Sequence, residues 1–168
     1  SIFIAAPENF SFRSTVYSHG WSDLAPFALD DQKWLLTAVF TDARRRSVSG
    51  VLSETTGGVR VDLNSSRIDR AKVEQDVRHI LRMDEDLAEF YAAIDRHDHL
   101  SWVAEKGAGR MLRSASVYED LVKTICTTNC SWGLTKIMVA NLVDKLGLPT
   151  TCGRRSFPTA EAMAAVDE

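Results

Sequence analysis

The chain has 168 residues, 45% of them hydrophobic and 26% charged, with a formal net charge of -3 at pH 7. That is the composition of a globular protein with room for one ordinary domain, or for two small layers sharing a core. No apolar run reaches the length that spans a bilayer, no signal-peptide pattern follows Ser1, and the acidic balance is adverse to salt-driven binding of phosphates.

The first third reads as sheet. Residues 33–40, KWLLTAVF, form a strand-like run rich in aromatic and β-branched side chains, and a second run covers 48–54. Between them, Arg44-Arg45-Arg46 reads as a solvated turn. Thr55-Thr56-Gly57-Gly58 follows, with glycines suited to the positive φ angles of a tight hairpin. Residues 59–63, VRVDL, then alternate apolar and polar. The expectation is an antiparallel meander with one wet face.

From Asp69 the period becomes helical. Val73, Val77, Ile80 and Leu81 line one face. Asp84 is placed to cap a second helix carrying Leu87, Phe90, Tyr91 and Ile94. His97 to Ser101 interrupt before a short segment around Trp102. Ser116-Val117-Tyr118-Glu119 has the capping-box pattern, with Glu119 expected to reach back to the backbone N–H of Ser116. Val117, Leu121 and Ile125 share one stripe, and beyond a polar knuckle Leu134, Met138 and Leu142 recur every fourth residue, with Ile137 and Leu146 beside them. Pro158 opens a last helical run through Val166, which ends on Asp167 and Glu168 without a closing signal.

The fold class expected is α+β. An antiparallel sheet domain over residues 1–66 precedes a helical domain over residues 67–168. The knuckle Thr127-Thr128-Asn129-Cys130-Ser131 is the most specific element, a polar joint between two amphipathic helices. Its plain structural use is for Asn129 to cap a helix, and that of Gly20 is to make a turn. Cys126, Cys130 and Cys152 lack the paired spacing of a zinc site, so no metal is assigned, and buried structural thiols in a reducing compartment are expected. Asp84, Asp86, Asp95, Asp120 and Asp144 read as caps or solvated helix residues.

Several fragments resemble, in order and spacing, the helix-hairpin-helix DNA glycosylases. Gly109-Arg110-Met111-Leu112-Arg113 resembles the turn before that superfamily's central helix, and Ile125-Cys126-Thr127-Thr128-Asn129 resembles its ICSSN segment. Phe157-Pro158-Thr159 with Ala162 to Ala165 resembles the start of the helix that follows. The likeness runs from about Phe10 to Val166. It implies a TATA-binding-protein-like sheet domain, then the front of a helical bundle.

By the same resemblance, the partner is double-stranded DNA with a damaged base, which the enzyme flips out and removes in base-excision repair. No cofactor is implied, and the setting is a bacterial cytoplasm. Asn129 aligns with the asparagine that fills the hole left in the duplex, and Gly20 with a glycine beside the extruded base. Cys130, Ser131 and Leu134 depart from the pattern of the 8-oxoguanine enzymes, so 8-oxoguanine and alkylated purines both stand as substrates. The catalytic aspartate and the hairpin itself have no counterpart in these residues. No catalytic residue is therefore assigned, and the truncated end is expected to expose apolar surface and to favour self-association. The alternative is a non-catalytic nucleic-acid-binding or interaction module derived from that fold.

Overall fold

Alternation of apolar and polar residues builds the sheet. The computed structural model describes residues 1–166; the acidic pair Asp167 and Glu168 lies outside the described residues. Five strands, β1 (Ile2–Ala5), β2 (Ala28–Asp30), β3 (Leu35–Thr41), β4 (Ser47–Thr55) and β5 (Gly58–Leu63), form one antiparallel sheet in the order β1-β5-β4-β3-β2. The meander β3-β4-β5 is the one the sequence predicts. The edge strands β1 and β2 go beyond it, being three or four residues long and defined by pairing, such as Ile2 with Val61 and Ile4 with Val59. At the β4–β5 hairpin only Gly57 has a positive φ, +76°. Gly58 serves another need: a Cβ there would stand 2.1 Å from the carbonyl oxygen of Ile4.

One sheet face is covered by α1 (Phe12–Val16) and α2 (Arg70–Ile80). Asp69 caps α2 by accepting the N–H groups of Ala71 and Lys72. Val73, Val77 and Ile80 then point into a cluster that holds Phe12, Phe40, Leu52 and Val59. The same cluster takes Leu81, Met83 and Leu112, so one core contains residues from both sides of position 66. Asp84 does not cap a helix. It pairs with Arg78, and α3 (Ala88–Ile94) begins one turn later, where Asp86 accepts the N–H of Ala88 at 2.9 Å.

After α4 (Ser101–Glu105) come α5 (Val117–Thr127), α6 (Trp132–Leu146) and the short α7 (Ala160–Ala164). Ser116 caps α5 through the N–H of Glu119, at 3.2 Å. Glu119 does not reach back. Its buried carboxylate lies 2.7 Å from the Lys123 ammonium, which also donates to Ser114 Oγ at 3.1 Å and stands 5.0 Å from the centre of the Phe27 ring.

The apolar stripe of α5 and the first apolar residues of α6 face outward, while Met138, Leu142 and Leu146 are half-buried. Val117 is 74% exposed, Ile125 60% and Ile137 59%, whereas α6 buries Thr135, Val139 and Val143. Periodicity identifies an apolar face correctly but does not say which neighbour covers it. The thiols also differ from expectation, for Cys126 and Cys130 are half-buried and Cys152 is exposed.

Candidate nucleic-acid interface

The joint between α5 and α6 is closed without help from Asn129. The N–H of Thr128 returns to the carbonyl of Ile125 at 3.1 Å, and Ser131 caps α6 by accepting the N–H of Leu134 at 3.3 Å. Cys130 Sγ and Thr135 Oγ1 both donate to the Cys126 carbonyl, at 2.9 and 3.0 Å, and so fasten the inner side of the knuckle. Burial pushes the Cys126 thiol up from its ordinary value, and the neighbouring Cys130 adds to this. Thr128, Asn129 and Ser131 all face solvent, but Thr128 Oγ1 donates to the Ile125 carbonyl and Ser131 caps α6, whereas the Asn129 side chain takes no part in closing the joint and its φ is 55°. Asparagine enters that left-handed region more readily than most side chains do. The capping role that sequence suggests for it therefore belongs to Ser131.

Gly20 also has a left-handed backbone, with φ at 83°, and opens a 3-10 turn over Trp21–Asp23. Its carbonyl accepts the N–H of Asp23 at 3.0 Å, so one of its two lone pairs is used and one remains. A Cβ at Gly20 would stand 3.2 Å from Cζ2 of Trp132, the first residue of α6. The indole thus lies against the bare glycine backbone. Through it the structure brings the Gly20 turn and the Asn129 knuckle into one neighbourhood.

Two further contacts tie the turn to the helices. Trp21 Nε1 donates to Asp120 Oδ1 at 2.7 Å, and the same carboxylate oxygen accepts the N–H of Ser114 at 2.9 Å. Trp132 Nε1 donates to Asp23 Oδ2 at 3.4 Å, with Lys136 Nζ 3.9 Å from that oxygen. His19 stacks on Trp21 with ring centres 4.9 Å apart, and burial lowers its pKa against the opposing pull of the Asp120 carboxylate. Sequence reading left Trp21, Trp132 and Asp23 unassigned and took Asp120 for a cap or solvated helix residue, because pairs about a hundred residues apart leave no periodic trace. Both carboxylates are engaged by indole N–H groups. The arrangement holds an exposed asparagine and a bare glycine backbone side by side on one surface.

No protein-family model matches the sequence, and no curated protein does. Solved structures do match. A 3-methyladenine DNA glycosylase from Archaeoglobus fulgidus superposes on 98% of this chain with a TM-score of 0.77 at 17% identity. The chain has the fold of a DNA glycosylase. The 8-oxoguanine glycosylase/lyase of Clostridium acetobutylicum, in complex with double-stranded DNA containing cytosine opposite 8-oxoguanine, matches 99% of the chain with a TM-score of 0.66 at 14% identity. Its apo form gives the same score. The chain spans 58% of the length of the Archaeoglobus glycosylase and 57% of the Clostridium protein in its DNA complex. Within the glycosylase fold, the sheet, the α5–α6 pair and the knuckle between them all fall in the shared portion.

Proposed function

We propose that this chain is the front portion of a DNA N-glycosylase that removes a damaged purine, 8-oxoguanine or an alkylated base, in base-excision repair. The observation that carries the reading is the agreement of nearly the whole chain with the glycosylase fold, with an asparagine free of capping duty at the joint of its central helix pair. An extruded base leaves an unstacked hole that some side chain must occupy, and Asn129 is the group that stands free to do so. Gly20, with one carbonyl lone pair open, borders the recess for the extruded base.

The chemistry of base departure belongs to a further portion of the polypeptide, where an aspartate would stabilise the developing oxocarbenium ion, or a lysine would attack in a bifunctional enzyme. The exposed stripe of α5 and α6 is the face against which that portion packs. The reading is tested with the full-length protein on duplexes containing 8-oxoguanine, 3-methyladenine or an undamaged base. Release of a damaged base supports it, and strand scission without alkali would add lyase activity. Absence of release from every lesion duplex would overturn it. A polypeptide limited to these 168 residues should release no base above a buffer control, because among the described residues both carboxylates that hold the Gly20 turn, Asp23 and Asp120, accept an indole N–H.

A further inference from the structure

We propose that two reciprocal tryptophan–aspartate pairs clamp the Gly20 turn to the Asn129 knuckle and so fix where Asn129 stands against a duplex. The inference rests on the glycosylase reading and assigns positioning residues to it. In one pair the indole comes from the turn, Trp21, and the carboxylate from α5, Asp120. In the other the order is reversed, with the indole of Trp132 from α6 and the carboxylate of Asp23 from the turn. Two contacts running in opposite senses restrain both sliding and rotation of the turn against the helix pair. A single contact would leave a pivot.

The two ends differ in strength. Asp120 sits in the first turn of α5, where the helix dipole favours a carboxylate, and it holds Trp21 at 2.7 Å while also accepting the N–H of Ser114. This end is the anchor. The Trp132–Asp23 end is longer, at 3.4 Å, and about half of the Asp23 side chain is exposed. It lies three residues from Asn129 in sequence, at the start of α6, and is the end that sets the knuckle. The contact of the indole with bare Gly20 backbone gives that end its closeness: a Cβ at position 20 would stand 3.2 Å from the ring, on a backbone with φ of +83°, and would push the indole away by a few tenths of an ångström. Trp132 and Lys136 also offset the negative charge that Asp23 would otherwise hold out near the DNA phosphates.

A merely structural pair would lower stability and weaken binding to every duplex alike. A positioning pair weakens the complex that uses the hole-filling residue and spares the one held by phosphates. The test is equilibrium binding of the full-length protein to a duplex carrying a tetrahydrofuran abasic analogue and to the same duplex undamaged, with melting temperature measured alongside. Trp132→Ala should reduce the preference for the abasic duplex about tenfold, while affinity for the undamaged duplex stays within about twofold. Trp132→Phe, which keeps a ring over Gly20 and loses the N–H, should fall between the two, at about threefold. Asp23→Asn, which keeps an acceptor, should retain more of the preference than Asp23→Ala. If Trp132→Ala fails to fold, the Asp23 pair of variants carries the test from a half-exposed position. An unchanged preference in Trp132→Ala, equal losses on both duplexes, or equal behaviour of Asp23→Asn and Asp23→Ala would overturn the clamp while leaving the glycosylase reading intact. A wild-type protein with no preference for the abasic duplex would instead overturn that reading, and the clamp with it.

Discussion

At Asn129 the backbone and the side chain have separate uses, and substitutions can part them. Alanine removes the amide and also strains a left-handed position, at a cost of about 1 kcal/mol in stability. Glycine removes the amide without that strain. In the full-length protein both Asn129→Ala and Asn129→Gly should weaken binding to an abasic or lesion duplex about tenfold, or about 1.4 kcal/mol, with little change on undamaged DNA. Only the alanine variant should melt lower; losses that follow melting temperature would reduce Asn129 to a backbone residue. The arginine turn likewise rests on one side chain. Asp42 accepts the N–H groups of Arg44 and Arg46 at 3.0 and 3.1 Å, and Nε of Arg46 at 2.8 Å. The hydrogen bond from Arg46 is the main reason that its carboxyl is held down to about 2 from an ordinary 3.8, with burial opposing. A pKa depressed by folding stabilises the protein above the unfolded value and ceases to do so as pH falls through the folded one. The stability gap between wild type and Asp42→Asn in urea should be full at about pH 6 and much reduced by about pH 2.5. A gap independent of pH would show that the carboxylate charge is idle.

The helix pair shows what sequence makes legible at the scale of elements. The start of α5 at Ser116 and the amphipathic spacing of both helices are local signals that sequence carries, whereas the cap of α6 is Ser131 and not the Asn129 that sequence suggests. The inner face was not legible. It joins Val139 and Val143 to Glu119, Lys123 and Thr135, polar residues that a pattern reading assigns to solvent, while Val117, Leu121 and Ile125 face outward. Strands β1 and β2 were hidden for a related reason, since four or fewer residues carry no period and acquire their identity from a distant partner. At the candidate site, sequence offers Asn129 and Gly20 through the family resemblance, whereas the Trp–Asp pairs that join their segments lie about a hundred residues apart and leave no local signal. The buried ion pair yields a test of this inner face. Burial pushes the Glu119 carboxyl up even with Lys123 beside it, so removing the ammonium leaves an acid that water cannot reach. Lys123→Met should cost about 3 kcal/mol, and adding Glu119→Gln should restore more than half, as read from urea unfolding. A single variant costing less than about 1 kcal/mol would mean that the pair contributes little.

For the molecule as a whole, the decisive feature is an apolar face with nothing on it. Val117, Leu121 and Ile125 of α5 and Leu134 and Ile137 of α6 are all exposed, and the solved glycosylases with this fold are considerably longer than the chain. Exposed apolar surface of this kind marks a contact, and on the proposed reading its occupant in a full-length protein would be the remaining portion of the fold. A polypeptide limited to these 168 residues leaves the face open to a second copy. Burying part of these side chains is opposed by an association cost of about 4–15 kcal/mol, so pairing should be reversible and dependent on concentration. Sedimentation should therefore show a mass that rises with concentration up to about 100 µM. Leu121→Lys and Ile137→Glu together should return the polypeptide to a monomer and change its melting temperature little, because both side chains are more than half exposed in the fold as it stands. The same pair in the full-length protein should lower the melting temperature, since there both residues would be covered. A strict monomer at high concentration, or a double variant equally harmless in both lengths, would show that this face has no partner.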